Sequence, residues 1–519
     1  MNVFDRSVLF FTRQPRYQYV ILFVIALAVF TVLHLDQTLA DPDSFYHVKA
    51  TQLLIEQGAV KQFPWLTATN LQSNFVDHHL LYHLVLVPFV ALFPPLLGIK
   101  VATVLLASLV VVAACALMRS LAVKGSFWYA LFLLSINIFV FRLGLAKAQQ
   151  LVLILLFLFI YLLFTRRYLA LAVVSALYVW LYAGWPLALV LAGLFVGLNQ
   201  VFAKQHKAWL WFLSKRTSVL QQHFKLLLSV GIGLAAGIFF SPYFPGNIAF
   251  YVQQSFKIAV VNYQHVIGVG AEWYPYTLPD LVFQAIPFVG LVIVALVVFI
   301  ASYQRQSLPS WYFLLLSFFF FALTLKSKRY AEYFVPLAVI FSGLSLSGYY
   351  EFAKDYFKKV PARWWQLLPL VVMVVLLPVF YFDLSEVRKL YGQGFAFDTF
   401  AEPSVWLAGH SDPGDIVFHS DWDEFPMLWF HNDVNYYIVG LDPTFMYEYD
   451  RDLYQRWLAI VSGTERERLH ETIGGLFGAR YVFVNFNQNE QFDRNLSQNF
   501  FFERVFENEE AHIYEVITP

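Results

Sequence analysis

The segment ADPDSFYHVKA, residues 40–50, places two carboxylates directly after a long apolar run. Asp41 and Asp43 are followed there by the aromatic residues Phe45 and Tyr46. Carboxylates held at the edge of a membrane can bind a metal ion, and they can act as general bases. A solvated loop would account for the same residues, so the sequence leaves a catalytic and a purely structural interpretation open.

Basic residues form a second set of candidates. Arg142 and Lys147 lie in FRLGLAKAQQ, and Lys326, Lys328 and Arg329 lie in KSKRYAEYF. We expect both groups at the outer ends of membrane spans, where a charge is costly unless it is used or reaches the headgroups. Arginine can hold a phosphate through two hydrogen bonds at once, so an anion at the outer leaflet would explain these cations. Contact with lipid headgroups would explain the two lysines of KSKRYAEYF equally well.

The elements that must position these groups are membrane spans. Hydrophobic residues make up 59% of the 519-residue chain, and charged residues make up 13%. Apolar segments of roughly 15–20 residues recur along the sequence, which indicates a protein with about eleven spans. These segments are 17–35, 99–117, 127–141, 151–164, 169–182, 186–202, 226–240, 281–300, 311–325, 333–346 and 365–382. The stretch 80–93 is short and contains a histidine and a proline, and we interpret it as an amphipathic helix on the outer surface.

The distribution of charge predicts the orientation of the spans. Arg6, Arg13 and Arg16 precede the first span and place the N-terminus inside, and the basic connections that include 204–216 and 354–363 then also lie inside. Residues 1–382 hold 26 basic and 11 acidic side chains, whereas residues 383–519 hold 9 basic and 24 acidic ones. The acidic tail is therefore expected on the outer side.

The tail alternates patterns typical of strands and of helices. DIVFHS, NYYIVG, ARYVFVN and AHIYEVI predict strands, and TERERLHETIGGLF predicts a helix that starts with a capping box from Thr464 to Glu467. The predicted architecture is thus an α-helical polytopic membrane domain over residues 1–382, with the N-terminus inside, and an extracytoplasmic α/β domain over residues 383–519.

Carboxylates and cations on one face of a membrane suit a substrate with a phosphate head and an apolar tail. A sugar linked to a polyprenyl phosphate fits that description, with a carboxylate to activate the acceptor and basic groups to stabilise the departing phosphate. The sequence contains no nucleotide-binding glycine loop, which argues against a nucleotide-sugar or ATP-driven mechanism. We expect the lipid bilayer, a polyprenyl-linked donor and a protein or glycan acceptor as partners, and no nucleic acid.

Four segments in chain order resemble motifs of the catalytic subunits of oligosaccharyltransferases, which are membrane glycosyltransferases of the GT-C class. DPDSFYHVKATQLL resembles the first-loop motif, and Asp41 falls on its metal-binding and acceptor-activating aspartate. GVGAEWYP resembles the external-loop motif whose glutamate contacts the acceptor, here Glu272. KRYAEYFVPLA resembles the motif whose arginine holds the donor phosphate, here Arg329. SDWDEF resembles the motif that reads the acceptor sequence, with Trp422 and Asp423 at matching positions.

Two departures from that family bear on the chemistry. Lys147, Gln149 and Gln150 stand where the family carries a second acidic motif with further metal ligands. Of the metal ligands that the resemblance implies, Asp41 would remain. A Mg²⁺ or Mn²⁺ ion would therefore lose much of its oxygen shell, so a metal cofactor is disfavoured. We hypothesise that Lys147 supplies the positive charge instead. Asp421 also stands where a tryptophan of the acceptor motif is expected.

The favoured function is transfer of a sugar or oligosaccharide from a polyprenyl-(pyro)phosphate carrier to an acceptor, with Asp41, Asp43 and Glu272 as catalytic candidates. Arg329, Lys147 and Arg142 are the candidates for binding the donor phosphate. An alternative is a monosaccharide transferase that uses a polyprenyl monophosphate and modifies a protein hydroxyl or carbon, a lipid or a glycan. A glycan transporter or a non-catalytic assembly subunit is a further alternative. The expected location is the cytoplasmic membrane of a bacterium or archaeon.

Overall fold

The computed structural model describes residues 15–205, 209–261, 263–357 and 362–517, which form two compact units. The helical unit consists of the segment up to Asp36, Lys100–Phe240 and Glu272–Gln393. The sheet unit consists of Gln37–Ile99, Ser241–Ala271 and the segment from Gly394. The predicted division into residues 1–382 and 383–519 stays a prediction.

The α-helices are named in chain order. They are α1 (Pro15–Leu33), α2 (Asp43–Gln57), α3 (Leu80–Leu92), α4 (Pro95–Ser120), α5 (Ser126–Leu133), α6 (Asn137–Leu143), α7 (Gln149–Thr165), α8 (Tyr168–Leu181), α9 (Leu187–Gln205), α10 (Trp209–Phe239), α11 (Gly246–Val252), α12 (Leu278–Phe283), α13 (Ile286–Ala301), α14 (Leu308–Thr324), α15 (Ala331–Phe357), α16 (Ala362–Gly392), α17 (Ala401–His410), α18 (Phe425–His431), α19 (Thr444–Tyr449), α20 (Arg451–Val461) and α21 (Glu490–Ser497).

Several helices are long and apolar enough to cross a membrane. Within the described ranges there are four of them, Arg16–Leu33, Pro95–Ser120, Leu220–Phe239 and Lys328–Tyr350, and the pair α5 and α6, bent by 76°, could form a fifth span. Shorter apolar helices include α3, α7, α8, α9, α13 and α14. The mostly helical membrane character is confirmed, whereas the count of eleven spans and the orientation stay predictions. Arg6, Arg13, Lys207, Lys358 and Lys359, on which the orientation partly depends, lie outside the described residues.

Helix α15 runs through the centre of the helical unit and packs against both α13 and α14. Val335, Leu337 and Ile340 on this helix are completely buried. Helices α8 and α10 approach each other closely because α10 carries glycine at the contact. A Cβ atom on Gly233 would lie 2.2 Å from the carbonyl oxygen of Ala172. The close packing of α15 holds its first turn, which carries Glu332, in a fixed position.

The sheet unit contains a five-stranded mixed sheet in the order β4-β3-β5-β7-β6. The strands are β3 (Ile416–His419), β4 (Tyr436–Tyr437), β5 (Ala479–Val484), β6 (Phe502–Glu507) and β7 (His512–Val516), and a separate antiparallel pair joins β1 (Thr38–Leu39) to β2 (Phe395–Ala396). Strands β4, β3 and β5 are parallel, and β7 pairs antiparallel with β5 and β6. All four predicted strands of the tail are present, and β6 was not predicted because charged residues interrupt its apolar pattern.

The prediction that a helix starts at Thr464 is wrong. The hydroxyl of Thr464 donates to the carbonyl oxygen of Ala459 at 2.9 Å, so Thr464 ends the preceding helix α20 instead of starting a new one. The side chain of Glu465 accepts hydrogen bonds from the backbone of Glu467 and Arg468. Regular structure resumes as a π-helix over Glu471–Leu476. The stretch 80–93 forms a helix, α3, as predicted, and it packs against α2 in the sheet unit. Its place on the outer surface stays a prediction.

Candidate functional site

Three segments of the helical unit carry charged side chains to one place. Arg142 lies near the end of α6, and Lys147 lies in the turn that leads to α7. Glu272 lies in the 3-10 turn Ala271–Trp273, and Arg329 lies in the 3-10 turn Lys328–Tyr330. Glu332 occupies the first turn of α15. We call these five residues the charge cluster.

Arg142 joins the two carboxylates of the charge cluster. Its Nη1 donates to Glu272 Oε2 at 2.6 Å, and its Nε and Nη2 donate to Glu332 Oε2 at 3.2 and 3.0 Å. The side chains of Arg142 and Glu332 are 6% and 1% exposed, so both charges depend on each other for compensation. The second oxygen of Glu332, Oε1, is buried and has no hydrogen-bond partner among the described residues.

The other two cations approach the same carboxylate of Glu272. Arg329 Nη1 lies 3.7 Å from Glu272 Oε1, and Lys147 Nζ lies 3.9 Å from Glu272 Oε2. Three cations and two carboxylates thus occupy a largely buried site with one positive charge in excess. Burial alone would raise the pKa of Glu272, but Lys147, Arg142 and Arg329 outweigh it and hold that pKa well below its usual range. Glu272 is therefore ionised at every physiological pH.

Aromatic side chains fix the orientation of Arg329. Its Nη2 donates to the hydroxyl of Tyr182 at 3.0 Å, and its guanidinium lies 4.2 Å from the centre of the Trp273 ring. A guanidinium is planar, so one that is held in place by an aromatic ring and a hydrogen bond suits two-point binding of an oxyanion.

The backbone ties the two turns of the site together. The Ser327 hydroxyl donates to the carbonyl oxygen of Glu272 at 2.8 Å, and the Lys328 N–H donates to the carbonyl oxygen of Tyr274 at 2.9 Å. Gln150 holds the turn that bears Lys147, because its amide donates to the carbonyl oxygen of Leu143 at 2.7 Å. The residue that replaces the expected acidic motif thus has a structural role of its own.

An apolar groove of about 200 Å³ opens beside these segments. Its lining is apolar except for Ser317, and it includes Leu281 of α12, Ile293 of α13, Phe318 of α14 and Phe334 of α15. Helix α15 carries Glu332 in its first turn, so the groove and the charge cluster share an element. The helical unit therefore combines a group of three buried cations with an apolar surface.

The residues of the charge cluster do not fit a divalent metal ion. Lys147 and Arg142 crowd Glu272 where a metal would need further oxygen ligands. Among the described residues, no group of three or more His, Cys, Asp or Glu is placed to hold a metal. We therefore derive no chemical step from a metal.

The remaining predicted residues belong to the sheet unit. Asp41 Oδ1 accepts a hydrogen bond from the backbone of Asp43 at 3.0 Å, at the start of α2. Trp422 and Asp423 lie in a 3-10 turn that Asp421 caps by accepting a hydrogen bond from the Asp423 N–H at 3.2 Å. The structure brings Glu272, Arg329, Arg142 and Lys147 together within one unit. The convergence of Asp41 with Glu272 and Arg329 stays a prediction.

Asp421, the residue at the expected tryptophan position, has a structural role. Its side chain and that of Glu424 form a reciprocal capping box, in which Glu424 Oε2 accepts from the Asp421 N–H at 2.8 Å. Burial and the nearby carboxylate of Glu424 raise the pKa of Asp421 to about 6.

Sequence reasoning missed several polar residues of the interior. Glu332 was not among the predicted site residues, although its place three residues after Arg329 was a usable signal. In the sheet unit, Asp77 Oδ2 lies 2.7 Å from His83 Nδ1, and His83 Nε2 lies 2.9 Å from His47 Nδ1. His83, the histidine of the stretch 80–93, is completely buried within the chain.

Comparison with known proteins identifies the fold. No protein-family model and no curated protein matches the sequence. AglB from Archaeoglobus fulgidus, an archaeal oligosaccharyltransferase solved with an inhibitory peptide and a dolichol-phosphate, is similar with a TM-score of 0.64 and 14% identity, over 91% of this chain and 70% of that chain. ArnT from Cupriavidus metallidurans bound to undecaprenyl phosphate gives a TM-score of 0.58 and 14% identity, over 96% of this chain and 97% of that chain.

The arabinofuranosyltransferase AftD from Mycobacteria is similar over 98% of this chain and 42% of that chain, with a TM-score of 0.57 and 13% identity. All three proteins are GT-C glycosyltransferases. The chain therefore has the GT-C fold, as the sequence motifs led us to expect.

Proposed function

We propose that the protein is a membrane glycosyltransferase that moves a sugar or oligosaccharide from a polyprenyl-phosphate carrier to an acceptor. The observation that carries this proposal is the convergence of Arg142, Lys147 and Arg329 beside an apolar groove in a chain with the GT-C fold. A donor with a phosphate head and an isoprenoid tail needs both features next to each other. We place the site at the outer face of a bacterial or archaeal cytoplasmic membrane.

The three cations would bind the phosphate of the donor and stabilise the charge that develops on it. Arg329 is held by Tyr182 and Trp273 in an orientation suited to two phosphate oxygens. Lys147 would add the charge that a metal ion supplies in other phosphate sites. These groups act in a largely buried place, where a fixed positive charge stabilises an anion far better than water-exposed charge does.

The transfer step needs a base for the acceptor. The nucleophilic atom of the acceptor forms a bond to the anomeric carbon of the sugar while the bond from that carbon to the phosphate oxygen breaks. The bonding electrons stay on the phosphate, and the proton of the acceptor passes to a carboxylate. We assign that role to Asp41, whose carboxylate is oriented by the Asp43 backbone. We assign contact with the acceptor to Glu272, Trp422 and Asp423.

A monosaccharide transferase that uses a polyprenyl monophosphate is the second candidate. Lys147, Gln149 and Gln150 favour it, because a pyrophosphate carrier is usually bound through a divalent metal and these residues replace the acidic ligands. Its acceptor would be a protein hydroxyl or carbon, a lipid or a glycan.

Loss of the gene tests the proposal. We expect polyprenyl-linked sugars to accumulate in the membrane lipids, as measured by mass spectrometry, and the mass of the accumulated species gives the sugar and the number of phosphates. The wild-type gene should remove them, whereas Arg329→Gln and Asp41→Asn should not. An unchanged lipid profile after gene loss, or full complementation by Asp41→Asn, would favour a scaffold or a transporter instead.

A further inference from the structure

Glu272 is close to all three cations of the charge cluster. It lies 2.6 Å from Arg142, 3.7 Å from Arg329 and 3.9 Å from Lys147. Its side chain is 20% exposed, compared with 6%, 12% and 9% for these three cations. Glu272 is therefore the most exposed of these four side chains, and it occupies the position next to the cations that a bound anion would need.

The two carboxylates of the charge cluster differ in mobility. Glu332 accepts two hydrogen bonds from Arg142 and is 1% exposed, so it is fixed in the interior. Among the described residues, the Glu272 side chain receives one hydrogen bond, from Arg142, and its backbone is anchored separately through the Ser327 hydroxyl. The Glu272 side chain can thus leave the cations by a change of rotamer, without any movement of its turn.

We propose that the Glu272 carboxylate and the phosphate of the donor compete for Arg142, Lys147 and Arg329, so that donor binding releases Glu272 toward the acceptor. This inference rests on the proposed function. A phosphate and a carboxylate both require the N–H groups of these cations, and the five charged residues leave one positive charge in excess. Two anions cannot share that excess at such short distances without a large repulsion.

Competition gives the site an order of events. While the three cations hold Glu272, its carboxylate is not available to the acceptor. A phosphate that takes over the cations releases this carboxylate for contact with the acceptor. The acceptor would therefore find its Glu272 contact after the donor has bound, so donor binding comes before acceptor binding.

Binding of undecaprenyl phosphate to the full-length protein in nanodiscs tests the competition. Glu272→Gln keeps the size of the side chain and removes its charge. We expect Glu272→Gln to bind undecaprenyl phosphate about tenfold more tightly than the wild type, a factor that corresponds to 1.4 kcal/mol. Asp280→Asn is the matched control, because it removes an exposed carboxylate in the first turn of α12, eight residues after Glu272, and should leave the affinity unchanged. Equal or weaker binding by Glu272→Gln would overturn the competition.

Two further variants distinguish an error in the phosphate site from an error in the competition. Arg329→Gln should weaken binding, and if wild type and Arg329→Gln bind alike, the proposed phosphate site itself is wrong. If Arg329→Gln weakens binding while Glu272→Gln has no effect, the site stands and the competition is refuted. Glu272→Asp retains the charge on a shorter side chain, so it should tighten the binding of undecaprenyl phosphate to a smaller degree than Glu272→Gln does. If Glu272→Gln does not fold, Glu272→Asp takes its place, and an unchanged affinity of Glu272→Asp refutes the competition.

Inorganic phosphate distinguishes a lipid from a free anion. The competition predicts that Glu272→Gln also tightens the binding of inorganic phosphate, by a similar factor. Undecaprenyl phosphate should bind wild type more tightly than inorganic phosphate does, because its tail adds apolar contact in the groove. Equal affinities would refute the lipid donor of the proposed function.

Discussion

Replacing Arg142 by glutamine removes the side chain that joins the two carboxylates of the charge cluster. The variant loses one hydrogen bond to Glu272 and two to Glu332. Glu272 keeps Arg329 and Lys147 within 3.7 and 3.9 Å. Glu332, at 1% exposure, is left as a buried carboxylate with no other cation in hydrogen-bond contact in the part of the chain that the structure describes. Removing one partner of a buried ion pair costs about 3–5 kcal/mol, so we expect Arg142→Gln to lower the free energy of unfolding by that amount.

A double variant separates the loss of an attraction from the cost of an unpaired charge. Adding Glu332→Gln to Arg142→Gln removes the uncompensated carboxylate and leaves two amides of suitable size to bond with each other. Replacing both partners of a buried pair is far less costly than replacing one, so the double variant should recover about 2 kcal/mol. Unfolding in mixed detergent micelles, followed by tryptophan fluorescence, measures both changes.

The result that would refute this reasoning is specific. If Arg142→Gln unfolds within about 1 kcal/mol of the wild type, the ion pair is not a net contributor to stability. If Arg142→Gln is strongly destabilised and the double variant is no more stable, the loss comes from packing around the guanidinium and not from the buried charge of Glu332.

Three further predictions concern other parts of the chain. Lys147→Gln should lower the rate of transfer about a hundredfold or more, while a chelator leaves the wild-type rate unchanged, and strict dependence on an added metal would reject the role of Lys147. The pKa of Asp421 in the folded protein, about 6, lies above its ordinary value of 3.8. The stabilising contribution of Asp421 is therefore present below pH 3.8 and is lost as the pH rises through 6. Asp421→Asn keeps the cap of the turn, and its melting temperature should fall less than that of the wild type between pH 3.8 and pH 6. Gly233→Ala should destabilise the protein by about 1–3 kcal/mol, because its Cβ atom would clash with a backbone carbonyl of helix α8. Gly231→Ala should be tolerated, because a Cβ atom at that position meets open space. Equal unfolding midpoints for the two variants would contradict the close contact between α8 and α10.

Much of the chain organisation follows from local pattern. Apolar runs identify helices, because a lipid-facing backbone must satisfy its own hydrogen bonds within the helix. Short apolar runs identify β3, β5 and β7, because most residues of these strands are buried. Local pattern failed at Thr464, where a hydroxyl that could start one helix instead ends another. Ends of helices are ambiguous in sequence because the same residue types serve both purposes.

The candidate site was predictable in its residue types but not in its pairings. The sequence by itself identified Arg142, Lys147 and Arg329 as unusual charges beside apolar segments, because charge in such places has to be compensated. Glu272 was identified through the resemblance of GVGAEWYP to a family motif. Tertiary structure alone decided that all three cations lie close to Glu272 and that Arg142 also forms a buried ion pair with Glu332. These contacts join positions up to 190 residues apart, and no local pattern records which distant partner neutralises a buried charge.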